Sequence, residues 1–523
     1  MVLLKKSVNY LVKLYIKSIF VFINECFSYK CNNLLVLILY NMKKLGVILL
    51  LFNLLFIACT NKDYEYLSSE RDDYSSMLMD VKVYVKDSSI VSTTDLIKKV
   101  AKEFPRMNAL ATRSQVREKE IKDISTLYGE NGEPSMYVIN YKNNDGWIIL
   151  SATQEYIPVL AYNDSGVFNV NSINERSVSV WMKEEAEKMD IIKSAPDSIK
   201  DYFRMQWYPY TLKIVSIADL LPAQTRDYSE DLEEAFMYQM QCCAQWEAEG
   251  YDIILYGAFK NGDGYDVPTS IRNQIISEAE QYGTDIYDGR DFNTLVLFRR
   301  NTTVSAVGPY TTTTWDQFDG NSYYLPNGQP YGCIPVAISQ IMKYWEYPNT
   351  FNWSSMDTYG SSQASNFLKY QVGLACGINY NSNYSGATLT NARNALNSYG
   401  YSQATIVNHN SSTVKTNLDF GRPVLMRADI QGETDGHAWV CDGYRYETYN
   451  LEVVLKAMQT KSSFYSHDFG IVGSGSLSVF RMNFGYGGND NGFYSDSNIF
   501  YSGNGNTYHV LNSNRKDIVN IFH

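Results

Sequence analysis

Histidine is scarce in this chain: five in 523 residues, all beyond residue 400. Charged residues are few, at 19 %, and their balance is acidic, at −11. Without the first 58 residues, which hold seven Lys and one Glu, the net charge falls to −17. A chain of that sign lacks the basic surface that nucleic acid or an anionic membrane requires. The eight cysteines include no CxxC pair and meet no paired His spacing, which argues against zinc. They are also too sparse for a disulfide-stapled scaffold. The glycines at 485–488 are followed by no helix pattern, so they do not read as a phosphate loop. Neither a metal nor an organic cofactor is expected. What is plentiful is Tyr (43) and apolar residues (45 %), enough for sizeable cores in two or three domains.

The basic start Met42-Lys43-Lys44, the apolar run from Leu45 to Ile57 and the small residue Ala58 before Cys59 have the shape of a signal peptide over 42–58. The run is too short to span a bilayer comfortably. Its Phe-Ile-Ala-Cys ending resembles a bacterial lipoprotein box, which implies lipidation at Cys59 and a lipid anchor as the only membrane attachment. Residues 1–41 fit no such pattern and read as spurious or extra sequence. The expected location is the outer membrane or cell surface, or the medium after processing. Residues 60–83 read as a polar tether.

A first unit spans about 84–195. Leu96, Ile97, Val100 and Phe104 mark one face of a helix from Ser92 to Phe104, with Ser92 as its cap. Met136 to Tyr141 and Trp147 to Ser151 predict a β-hairpin about Asp145-Gly146, Ile157 to Tyr162 a further strand, and Trp181 to Met189 a helix. Residues 196–300 contain helical patterns at 229–250 and 270–283 and no motif, so they read as a helical insertion or spacer. Arg299-Arg300-Asn301 reads as an exposed processing site ahead of a last unit at 301–523.

In that last unit Tyr331 to Ile341 carries the chemistry. Cys333 follows a glycine and opens a run in which Ile334, Ile338, Ile341 and Trp345 recur at helical spacing until Tyr347-Pro348. Unpaired N–H groups and the positive end of the helix dipole favour thiolate at such a position. A cysteine nucleophile needs a base within reach. His409 and His467 lie in polar stretches, and His509 and His523 lie near the chain end. His437 opens Gly-His-Ala-Trp-Val-Cys-Asp-Gly-Tyr (436–444), a strand whose alternation puts His437, Trp439 and Cys441 on one face. Asn483, before a glycine-rich turn, offers an amide oxygen to orient the imidazole. Gln317, sixteen residues before Cys333, offers an amide for an oxyanion. Cys376 and Cys441 read as core thiols, and the vicinal Cys242-Cys243 pair reads as inert.

The order Gln, Cys, His, Asn is similar to that of papain-like cysteine peptidases. The segments Trp-Asp-Gln (315–317), Gly-Cys-Ile-Pro-Val-Ala-Ile-Ser-Gln-Ile-Met-Lys-Tyr-Trp-Glu-Tyr-Pro (332–348), Tyr-Ser-Gly-Ala (384–387), Gly-Arg-Pro-Val-Leu (421–425), Gly-His-Ala-Trp-Val-Cys-Asp-Gly-Tyr and Asn-Phe-Gly-Tyr-Gly-Gly (483–488) resemble the streptopain family. Tyr-Val-Ile-Asn (137–140), Gly-Trp-Ile-Ile-Leu-Ser-Ala (146–152) and Pro-Val-Leu-Ala-Tyr (158–162) resemble its prodomain and the related inhibitor domains. The resemblance implies an α+β fold, with a two-lobed papain-like peptidase domain preceded by a small α+β prodomain. It implies Cys333 as nucleophile, His437 as base, Gln317 as oxyanion donor and Asn483 as orienter, acting on protein or peptide substrates, with the prodomain as an inhibitor in cis. The alternative is a non-catalytic surface protein that binds peptides or inhibits other cysteine peptidases. Phe484, Tyr486 and Pro335 depart from the family pattern, as does an insertion at 445–478, expected to form a mobile flap.

Overall fold

In the computed structural model the residues described are 82–87, 93–111, 118–129, 131–171, 178–216, 230–262, 267–283, 293–319, 324–325, 329–381, 386–429, 436–496, 500–503, 506–509 and 515–523. The expected signal peptide, Cys59, the tether up to residue 81 and the cap Ser92 lie outside them, while the last two tether residues, Lys82 and Val83, begin a strand. After β1 (Lys82–Lys86), Leu96, Ile97, Val100 and Phe104 are buried along α1 (Thr93–Ala111), which runs past its expected end. A meander follows: β2 (Ile121–Tyr128), β3 (Pro134–Tyr141), β4 (Trp147–Ser151) and β5 (Val159–Asn163), each antiparallel to the next. The helix α2 (Val178–Lys193) contains the expected 181–189 stretch.

Residues 196–300 are not a helical spacer, and 445–478 are not a flap; the two form one module. α3 (Asp197–Trp207) packs on the N-terminal unit through Phe203 and Trp207, and the module comprises β6 (Leu212–Ser216), α4 (Glu230–Ala248), β7 (Asp252–Leu255), α5 (Tyr256–Lys260), α6 (Thr269–Tyr282) and β8 (Thr294–Val307). β8 pairs along its whole length with the strand that contains the insertion, from Thr294 opposite Ala457 to Val307 opposite Tyr444. The reason lies in an apolar run buried on both sides. Leu295 and Leu297 enter the core under α4 with Val454, while Val296 and Phe298 enter the core under α6 with Val453 and Leu455. Each such side chain contributes roughly 1.5–3 kcal/mol of burial, which a free flap would forfeit. Arg299 and Arg300 lie within β8, in ion pairs with Glu452 (2.6 Å) and Glu447 (3.4 Å), so the expected processing site is not an exposed linker.

The last unit begins with helices: α7 (Cys333–Trp345), α8 (Gln363–Ala375) and α9 (Leu389–Ser398). Then come β9 (Thr405–Asn408), α10 (Ser411–Asp419), β10 (Val424–Asp429), β11 (Gly436–Thr460), β12 (Ser463–Asn483), β13 (Gly492–Ser495), β14 (Phe500–Gly503), β15 (Asn506–His509) and β16 (Arg515–Val519). The order across the main sheet is β2-β3-β4-β5-β13-β12-β11-β10-β16-β9, so the N-terminal meander and the C-terminal strands make one continuous sheet, joined where β5 pairs with β13. Alternation along β10, β11 and β16 divides two cores. Leu425, Ala438, Val440 and Ile518 pack with Ile338 and Ile341 of α7. Met426, Trp439 and Cys441 pack with Trp147 and Trp181 of the N-terminal unit. Cys376 and Cys441 are buried core thiols, as expected.

The join is both aromatic and ionic. Tyr494 of β13 meets Trp147 (5.8 Å) and Trp181 (4.7 Å), and Tyr162 stacks on Phe493. The Trp181 indole donates to the Ser495 carbonyl (3.1 Å), and the Ser495 hydroxyl donates to Glu185 (2.9 Å). Arg515, fully buried, pairs with Glu184 of α2 and with Asp496 (3.0 Å). Asp496 in turn meets His409 Nε2 (3.1 Å), whose Nδ1 meets Asp517 (2.9 Å). Buried charges persist only when paired in this way. His409 lies in the loop after β9, as expected, but its side chain is a buried structural cation. Burial pushes its pKa down, but the Asp496 charge and hydrogen bonds to Asp496 and Asp517 outweigh that and raise it from 6.5 to about 10.

A raised histidine pKa stabilises the folded state fully below about 6.5, and that stabilisation is lost as pH climbs through about 10. Denaturant midpoints of the wild type and His409→Gln, compared from pH 6 to 10.5, are therefore expected to differ most at pH 6 and to converge near pH 10. A constant gap across that range contradicts the assignment.

Candidate active site

Cys333 is the first residue of α7. Gly332 before it has φ +92 and ψ 151, a conformation in which side-chain-bearing residues are strained. Pro335 falls in the first turn, where a missing N–H costs nothing. Ile334, Ile338 and Ile341 are buried as expected, and the helix ends at Trp345, whose indole donates to the Ile521 carbonyl (2.9 Å).

β12 ends at Asn483, opposite Val440. Among the described residues, 436–439 of β11 are therefore paired on one side only, with β10. The Cys333 sulfur occupies the open side, where the Ala438 N–H donates to it. Burial pushes the thiol pKa up, and the N–H groups of Ala438 and Ile334 and the charge of Arg427 do not reverse this. The expectation of a preformed thiolate is thus corrected: helix-end donors lose to desolvation. His437 adjoins Ala438 on β11 and is half-buried.

Gln317 is brought to the same place by its backbone. The segment 315–317 runs antiparallel to 485–487, with Gln317 N–H donating to Gly485 O (3.1 Å) and Gly487 N–H to Trp315 O (3.4 Å). Tyr331 N–H donates to Gln317 O (2.8 Å), two residues before Cys333. Gly485 has φ +75, and a Cβ there would lie 3.0 Å from Val336 of α7. All four sequence segments therefore converge on the start of α7.

Asn483 is held by three hydrogen bonds within its own surroundings. Its amide donates to Thr313 O (2.8 Å) and Gln340 Oε1 (3.0 Å), and its oxygen accepts from Gly485 N–H (3.3 Å). It stands opposite Val440, on the face of α7. Asn483 thus ties the sheet to the helix. The aromatic pair after it remains buried, with Phe484 packed on Trp439 (5.5 Å).

Two supporting residues escaped the sequence reading. Asp442, fully buried, accepts from Thr311 N–H (3.0 Å) and pairs with Arg481 (3.2 Å), holding the strap at 308–313 against β11. Its signal was a carboxylate inside an otherwise apolar strand. Lys369 of α8 is buried, pairs with Asp319, donates to Asp316 O (3.1 Å) and lies over the Tyr331 ring (4.6 Å), buttressing the residues on either side of Gln317. Nothing in its helical surroundings marked it.

Residues 349–494 match the Peptidase C10 family, and residues 92–189 match the Spi protease inhibitor family. The chain carries a peptidase C10 domain. It is a cysteine-type peptidase of the streptopain kind with a Spi-type domain ahead of it, in an α+β fold. The C10 match includes His437 and Asn483 and begins beyond Cys333 and Gln317. Among solved structures the chain is similar to a prointerpain A fragment from Prevotella intermedia, a cysteine-to-alanine variant, at 13 % identity over 77 % of this chain and 99 % of that one, with a TM-score of 0.38. No curated protein matches it.

Gly332→Ala is expected to lower kcat by about tenfold or more while leaving the far-ultraviolet spectrum unchanged, because a strained residue of ~1–3 kcal/mol displaces the sulfur. Wild-type kcat in a folded variant contradicts the placement.

Proposed function

We propose that the chain is an exported endopeptidase made as a zymogen, with Cys333 as nucleophile and His437 as general base. The observation that carries this is the Cys333 sulfur seated at the Ala438 N–H, one residue from His437, with Gln317 hydrogen-bonded to Tyr331 alongside. The His437 imidazole takes the Sγ proton, and the sulfur bonds to the substrate carbonyl carbon. The developing oxyanion accepts from the Cys333 N–H and the Gln317 amide. His437 then protonates the leaving amine as the C–N bond breaks. Water, deprotonated by the same imidazole, displaces the sulfur and restores the thiol. Asn483 acts as a positioning residue through α7.

The Spi-type domain supplies the restraint. Its Trp147 and Trp181 pack against Trp439 and Cys441 of β11, the strand that carries His437, and its departure frees that strand. Export and a lipid anchor at Cys59 follow from the N-terminal pattern, and protein substrates without nucleic acid from the acidic balance.

An irreversible thiol-directed peptidase probe is expected to label Cys333 faster once Trp181→Ala loosens the Spi-type domain, and Cys333→Ala is expected to lose labelling and to lower peptide hydrolysis by about three orders of magnitude or more. Labelling that survives Cys333→Ala removes the nucleophile. Full activity of the intact wild type removes the zymogen. A folded chain without hydrolysis after removal of the Spi-type domain favours the peptide-binding alternative.

A further inference from the structure

Acyl transfer at a thiol needs no ammonium group, yet one lies fully buried beside the candidate site. Lys369 belongs to α8, whose Leu368 and Val372 pack in the same core as Ile334 and Ile338 of α7. Its Nζ pairs with Asp319, donates to Asp316 O (3.1 Å) and lies 4.6 Å over the Tyr331 ring. Two chain segments therefore meet at one charge. The first, 316–319, carries Gln317. The second, 331–333, carries the Cys333 N–H.

Gln317 and Cys333 supply the two donors that a developing oxyanion needs, and they are sixteen positions apart. Their spacing depends on cross-links between the two segments. One is the Tyr331 N–H on Gln317 O (2.8 Å). Lys369 is the other. The Gln317 turn is also closed on itself, with Phe318 N–H donating to Asp316 Oδ1 (2.8 Å) and Asp316 N–H to Asp319 Oδ2 (3.4 Å). Asp316 O and Asp319, the two groups of this turn that Lys369 holds, lie on either side of Gln317.

Stability is a weak reason for a lysine at this place, because an apolar pair can often replace a buried ion pair at no loss. Direct attraction of the oxyanion is a weak reason too, because Asp319 neutralises the ammonium at contact. Placement of the donors is what remains. We propose that Lys369 is a positioning residue of the oxyanion hole, cross-linking the Gln317 turn to the Tyr331–Cys333 segment and so fixing the distance between the two donors. The inference rests on the assignment of Cys333 as nucleophile and Gln317 as oxyanion donor.

The test uses Lys369→Met, alone and with Asp319→Asn so that no lone carboxylate stays buried, in the mature species obtained from the full chain by limited proteolysis. In both, kcat is expected to fall about ten- to a hundredfold with KM unchanged. The double variant should keep the wild-type melting temperature or exceed it. Peptide aldehydes, whose hemithioacetal oxygen occupies the oxyanion hole, should bind more weakly by the same factor as kcat falls. Alkylation of Cys333 by iodoacetamide forms no oxyanion and should keep its rate. In a Gln317→Ala background, Lys369→Met should add no further loss. Wild-type kcat in a folded variant overturns the inference. An equally large loss in the Gln317→Ala background overturns it as well, and so does a double variant that loses melting temperature and alkylation rate together, which makes Lys369 structural. Hydrolysis that persists in Cys333→Ala sinks the nucleophile itself; Cys333-dependent hydrolysis indifferent to Lys369 sinks only the positioning role.

Discussion

A strand that loses one neighbour must find other partners for the amide groups on that side. Here β12 stops at Asn483, and the first residues of β11 face the gap. The N-terminus of α7 fills it, and the Ala438 N–H meets the Cys333 sulfur. Everything chemical in the molecule depends on that meeting. The helix is held in register by Gly332 before it, by Val336 against Gly485, and by Gln340, which is hydrogen-bonded to Asn483 and Thr313. The same gap leaves His437 next to the sulfur along the strand.

β11 and β12 do more than form the cleft. Their far ends build the inserted module with β7, β8, α4 and α6, and β13 at the near end pairs with the Spi-type domain. One pair of strands therefore links three regions. The ionic part of the domain contact, from Glu184 through Arg515 and Asp496 to His409 and Asp517, is buried throughout. Such a cluster favours one docking geometry, because a displaced partner leaves an uncompensated charge.

Local pattern made α1, the β3–β4 hairpin, α2 and α7 legible, although only α1 buries a single face; β4 is buried along its whole length and α7 from 334 to 342. The family resemblance picked out four segments, and the fold brings them together. The inserted module was not legible, because 294–298 is buried on both sides and so shows no alternation, and because its partner lies about 150 residues away. The hydrogen bonds of Asn483 to Thr313 and Gln340 were not legible either, because its side is set by its register with Val440. The burial of the loop residue His409 was not legible, because the carboxylates that pair with it come from Asp496 and Asp517, far along the chain. The thiolate expectation counted the donors at a helix start and could not count the desolvation that opposes them.

The most direct measurement is the pH profile of Cys333 alkylation in the intact chain, read peptide by peptide with mass spectrometry so that the other cysteines do not interfere. A sulfur seated in the strand gap and held neutral by burial should alkylate with a midpoint above that of a free thiol, about 8.5. A midpoint well below 8.5 in the intact chain would mean that the sulfur is already an exposed thiolate, and would contradict the account.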